Sequence, residues 1–213
     1  MNKDKLIKIL SDHKLWVNMD DHGVLADLRD ADLEGVDLRY ANLRGAILTG
    51  TCFEEANLKG ATMIGANLKG ANLKSANLLY ANLNNASLRS ASLIDAWLNM
   101  ANLTNADLTC ADLRNANFCD ATLICTNLDD ANLTGAKYNK ETAFSDGFKP
   151  KERGMIEEEQ LNDKICTVST IDDLLKNIND ELEELLERKT ILEDTIKEIQ
   201  KYIKRDNTYI SKK

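Results

Sequence analysis

The chain has 213 residues, 43% of them hydrophobic and 29% charged, which are the proportions of a folded protein with one domain of ordinary size and an appendage. That excludes disorder throughout. Its 35 acidic and 27 basic side chains leave a formal charge of −8, a balance that repels nucleic acid phosphates; with no concentrated basic patch in view, direct nucleic acid binding is not expected.

Residues 1–25 open with MNKDKLIKILSDHKLWV, where Leu6, Ile9, Leu10, His13 and Trp16 fall at helical spacing. The spacing predicts a short amphipathic helix over 3–16 that covers the start of the next element as an N-terminal helical cap. His13 is then a boundary or helix-face residue rather than a catalyst. Lys, Asp and His interrupt this stretch too often for a signal peptide, and no apolar run is long enough to span a bilayer, so a cytoplasmic protein without membrane association is expected. Cys52, Cys110, Cys119, Cys125 and Cys166 are odd in number and form no C-x-x-C pair, which suits reduced thiols and gives neither a disulfide frame nor a metal site.

From Ala26 the chain reads ADLRD ADLEG VDLRY ANLRG AILTG TCFEE ANLKG, and this frame holds without insertion to Tyr138. Residues 26–140 therefore make 23 units of five. The central position is always apolar, mostly Leu, and the residue two before it is Ala except at Val36, Thr51 and Thr126. A step of five smears these residues round a helix and alternates them across a flat strand, so the chain has to turn a corner once per unit. Turning each time toward the Ala/Leu side closes a tube with those two positions inside and three outside.

This run resembles the pentapeptide-repeat family over Ala26 to Lys140. The resemblance implies an all-β fold, a right-handed quadrilateral parallel β-helix with four units per coil, in which residue n stacks under residue n+20. After the last unit, residues 141–169 carry Phe144, Phe148, Gly147 and Pro150 and resemble the aromatic closing segment of bacterial members, followed by a polar linker.

Residues 170–206 change period. Ile171, Leu175, Ile178, Leu182, Leu185, Lys189, Leu192, Ile196, Ile199 and Ile203 alternate steps of four and three, a heptad seam that predicts a coiled-coil helix. A helix about 50 Å long cannot bury its seam on a tube half that length, so these residues are expected to oligomerise the chain, with a homodimer favoured.

No catalytic constellation is visible. Gly65 to Gly70 mimics the start of a phosphate loop, but Ala71 stands where the lysine belongs. Both histidines precede the repeat, far along the chain from the cysteines, and no cofactor or metal is implied. The protein is therefore not expected to be an enzyme. Stacking positions twenty apart separates the faces. One carries Asp32, Glu34, Glu54, Glu55, Asp95 and Asp112 against Lys74 and Arg114, a candidate acidic face. The next points Tyr40, Leu79, Tyr80, Trp97 and Met100 outward, a candidate protein-contact patch. The leading expectation is a protein-binding or structural scaffold with an unidentified protein partner. The alternative implied by the resemblance is a DNA-mimicking modulator of DNA gyrase or topoisomerase IV, of the quinolone-resistance type. Against it stands the tube's modest charge, 13 acidic against 10 basic residues over 26–140.

Overall fold

The computed structural model describes residues 1–158. The coiled-coil segment 170–206, all ten residues of its seam, and the linker from 159 to 169 lie outside the described residues.

Helix α1 spans Lys3–Val17. Asn2 starts it by accepting the Asp4 N–H on its side-chain oxygen at 2.9 Å, with Asp4 itself in the positive first turn and Lys14 in the last. Leu6 enters the same apolar core as the repeat leucines, and Ile9 and Leu10 pack against it.

The repeat winds as the resemblance implies. Parallel bridges join residues twenty apart without a slip, from Asp27 with Ile47 to Asn117 with Lys137, so four units make one coil. Three backbone bonds per unit tie neighbouring coils: Leu28 N–H to Ile47 C=O, Asp30 N–H to Thr49 C=O, and Ile47 N–H to Ala26 C=O, all between 2.8 and 3.0 Å. A fourth, Ala31 N–H to Leu28 C=O at 3.1 Å, closes the turn within the unit. The sides are so short that most pairings are single-residue bridges rather than strands. Continuous strands form only at the C-terminal end, where β1 (Thr122–Leu123) pairs with β3 (Ala143–Phe144) and β2 (Lys137–Tyr138) pairs with β4 (Ile156–Glu157). There the register changes. Thr122 meets Ala143 and Lys137 meets Ile156, so the 20-residue period ends once the repeat does.

Two local rules build each unit. The fifth residue takes positive φ, at every fifth position from Asp30 (52°) to Gly135 (73°), as the second corner of a type II turn requires. The second residue supplies the bond that the backbone does not. The N–H of the fourth residue has no backbone acceptor, and wherever the second residue is Asn or Asp its Oδ1 accepts that N–H, as from Arg29 to Asp27 at 3.2 Å and from Leu79 to Asn77 at 3.1 Å. All fifteen Asn and Asp residues at this position do so, at 2.9–3.3 Å. The repeated Ala-Asn-Leu is thus a burial signal and an Asx turn together.

The inside is dry and apolar. Leu43 to Leu103 at the central position, with Phe53 and Met63 among them, are completely buried, and the Ala residues from Ala46 to Ala101 are nearly so. At the far end Tyr138, Phe144 and Phe148 stack edge to face and face to face, with ring centroids 5.7 and 4.8 Å apart. Arg153 donates to the carbonyls of Leu128 and Ala131 at 2.9 and 3.3 Å, tying the closing segment to the end of the repeat.

Candidate contact surface

The five patch residues occupy three columns of one side of the tube. Tyr40, Tyr80 and Met100 stand at fifth positions of stacked units, with φ of 57°, 60° and 56°, and are 54%, 51% and 47% exposed. Gly60 lies between Tyr40 and Tyr80 in this column. A Cβ there would sit 2.6 Å from Cδ1 and Cε1 of Tyr40, so the tyrosine ring lies flat across the glycine and reaches along the column. Leu79, half-buried, stands one column in.

Trp97, 57% exposed, stands at a second position and bridges Asn77 and Asn117 in the ladder. Its surroundings differ from those of the other four. It lines a shallow groove of about 630 Å³ with Asp95, Asn99, Asn115, Asn117, Gly135, Lys137 and Ile156, and none of Tyr40, Leu79, Tyr80 or Met100 borders that groove. The sequence pattern missed Ile156, because the fold brings it onto the Trp97 side only through the changed register of β4.

Four of these five residues break the local rules of the repeat. Positive φ favours Gly, Asn and Asp, and a bulky side chain there costs on the order of 1 kcal/mol. Trp97 offers no oxygen at the capping position, and the Asn99 N–H it would cap has no partner among the described residues.

The acidic face is less exposed as charge than its composition suggests. Glu54 meets Lys74 at 2.9 Å and accepts from Asn72 at 3.1 Å, and the Lys74 ammonium holds its carboxyl below the usual carboxylate range. Asp112 is gripped by Arg114 at 2.7 Å and is lowered in the same way. Asp95 accepts from Asn115 at 3.1 Å. The remaining three, Asp32, Glu34 and Glu55, gather at the first two coils around a groove of about 840 Å³ that also holds Met1 and Lys3. The Met1 ammonium donates to the Asp32 carbonyl at 2.8 Å, so positive charge already sits there.

Among the described residues Cys52, Cys110, Cys119 and Cys125 are free thiols, and burial pushes Cys119 up to about 11, beside the Glu158 carboxylate. No helix among those residues is long and apolar enough to cross a membrane.

A family model described as pentapeptide repeats, in eight copies, matches residues 26–65, 66–104 and 101–137. Solved structures that resemble the chain include Rfr23, a pentapeptide repeat protein from the cyanobacterium Cyanothece 51142, at 26% identity over 65% of this chain and 99% of that one, with a TM-score of 0.44. HetL, a pentapeptide repeat protein involved in heterocyst differentiation regulation in Nostoc sp. strain PCC 7120, is 33% identical over 54% of this chain and 62% of its own, with a TM-score of 0.35. A trypsin-treated form of QnrB1, a plasmid-mediated fluoroquinolone resistance protein, is 17% identical over 62% of this chain and 80% of its own, with a TM-score of 0.46. No curated protein matches the chain.

Proposed function

The chain belongs to the pentapeptide-repeat family, and from that membership we propose that it is a non-catalytic, cytoplasmic scaffold that binds a protein partner on the side bearing Tyr40, Leu79, Tyr80, Trp97 and Met100. In this reading a right-handed quadrilateral β-helix over 26–140 is capped by residues 1–25, closed by 141–169 and made oligomeric by a coiled coil over 170–206. One observation carries the contact proposal: large apolar side chains occupy positions where the repeat's own backbone asks for Gly, Asn or Asp. A sequence gives up local consistency where a function requires it. Trp and Tyr are also the residues most enriched among the few that dominate protein interfaces.

The test compares wild type with Tyr80→Ser and Trp97→Asn in capture from the source cell, after confirming unchanged folding. A partner held by wild type and released by both variants supports the reading; equal capture by all three overturns it. Oligomerisation is tested separately, by light scattering of the full chain and of a chain ending after Glu158. We expect a dimer that becomes a monomer on truncation, and a monomeric full chain at micromolar concentration refutes the coiled-coil role.

The DNA-mimic reading ranks second. It needs a continuous negative face, and the ion pairs of Glu54 and Asp112 interrupt that face midway along the tube. A gyrase supercoiling assay at stoichiometric protein decides it: inhibition or protection puts the DNA mimic first.

A further inference from the structure

We propose that His13 is an acid-sensitive latch, holding α1 on the first coil while its ring is neutral and releasing the helix when the ring is protonated. The side chain is fully buried, and its Nδ1 accepts the backbone N–H of Ala26, the first residue of the repeat, at 3.2 Å. Accepting at Nδ1 puts the single proton of the neutral ring on Nε2. That nitrogen is buried and has no partner among the described residues. The ring stacks on Trp16 with centroids 5.6 Å apart and planes 13° from parallel. The Trp16 ring in turn covers the turn at Gly45, its Cη2 lying 3.5 Å from where a Cβ would stand.

A second proton acts against this arrangement in every respect. Protonated Nδ1 can no longer accept from Ala26, both ring nitrogens become donors without acceptors, and a full charge sits in an apolar seam. No counter-charge offsets this. The charged groups on the segments around His13 are Asp12, bound to Lys8 at 2.8 Å, and Lys14 on α1, Asp21 with Asp20 and His22, the last two bound to each other, in the turn after the helix, and Asp30, Arg44 and Asp27, the last bound to Arg29 at 2.6 Å, on the first coil. Burial alone lowers the His13 pKa, with no neighbouring charge contributing.

Beyond the turn that directly follows α1, two other polar ties among the described residues hold the N-terminal segment, Val24 N–H to the Asp12 carbonyl at 3.1 Å and the Met1 ammonium to the Asp32 carbonyl at 2.8 Å. Neither weakens on acidification, because carbonyls do not titrate and an ammonium stays charged as pH falls. Among the described residues, His13 is therefore the tie to the first coil that acid removes. A pKa depressed in the folded state means that the stabilisation is complete above the ordinary histidine value and is lost as pH falls below it through the folded pKa. Release uncovers the first coil, where Leu33 and Leu38 line one groove with Leu6 and Leu10 of the helix.

The test is hydrogen exchange on the full-length protein, expressed as protection factors so that intrinsic exchange rates cancel. Between about pH 7.5 and pH 5, a range that spans the ordinary histidine pKa, wild-type amides of 6–17 are expected to lose protection roughly tenfold or more. Amides of 46–136 are expected to keep theirs. His13→Gln supplies an acceptor to Ala26 without titrating and is expected to hold the helix equally at both pH values. His13→Phe, with no acceptor, is expected to show lower protection that is likewise independent of pH. Wild-type α1 protection that does not change, a loss shared by the whole tube, or the same acid-dependent loss in His13→Gln each overturns the proposal.

Discussion

Replacing Trp97 by Asn and by Ala separates two things that position does. The ring is 57% exposed, so either substitution gives up the same partial burial of the indole. The two products differ in one respect: Asn carries the Oδ1 that accepts the N–H two residues on in ten other units, as Asp does in five more, and Ala does not. A neutral hydrogen bond of this kind contributes about 1 kcal/mol net. Asn and Ala are both poor strand residues, so intrinsic preference does not decide between them. Trp97→Asn is therefore expected to be the more stable by about 1 kcal/mol, a difference of roughly 2–4 °C in melting temperature for a chain of this size. Asn77→Ala and Asn117→Ala, which remove existing caps in the adjacent coils, are expected to lose a similar amount against wild type. Thermal and urea melts of the four variants provide the measurement. If Trp97→Ala proves as stable as Trp97→Asn while the two Asn→Ala controls cost nothing, the Asx bonds are incidental and Trp97 breaks no local rule.

Two further outcomes are expected from the interior and the surface. Leu68 is completely buried and Lys69 is exposed, so Leu68→Asp is expected to cost several kcal/mol and Lys69→Asp almost nothing in the same melts. The carboxyl of Glu54, followed by NMR against pH, is expected to titrate below the ordinary glutamate range and to move back toward it in Lys74→Met. Because the folded pKa is the lower one, the contribution of this pair is present above the unfolded value and is lost as pH falls through the folded one.

Residue type alone specified a corner in every unit, because the repeat leaves few alternatives, and the resemblance to the family supplied the register of twenty. With Leu and Ala fixed at two of five positions, only a turn in every unit keeps both inside, and the bridges from Asp27 to Lys137 follow that register without a slip. The chemistry of the other three positions was written in the sequence but not in its hydropathy. Asn or Asp before the central residue reads as mere polarity until the backbone shows an N–H that only its side chain can reach. The groove beside Trp97 was hidden for a different reason. Ile156 joins it through a register step of nineteen that begins after the repeat has ended, and no period extends to it. The pairing of acidic with basic side chains depends on reach and rotamer. Glu54 finds Lys74 across one coil, whereas Arg29, Arg39 and Arg114 fold back on the aspartates two residues before them.

A solenoid of this kind separates stability from recognition more completely than a globular core does. Stability comes from stacked bonds and from two inward positions that every unit repeats, so the three outward positions are open to change at small cost. Selection for folding alone fills them with the residues the local backbone favours, Asn or Asp at the second position and Gly, Asn or Asp at the fifth. Departures toward Ser, Thr or Cys expose no large apolar surface and carry little information about a partner. Departures toward Trp, Tyr and Met cost a hydrogen bond or a strained φ, each on the order of 1 kcal/mol, and expose apolar surface besides. Tyr40, Tyr80, Trp97 and Met100 all lie on one side of a four-sided tube, although four such residues placed without regard to side would spread over the others as well. Ile47 and Cys52 show the contrast: each also lacks a capping oxygen, but both are half-buried, stand on two other sides and expose no aromatic surface. The cost is concentrated where a partner could repay it.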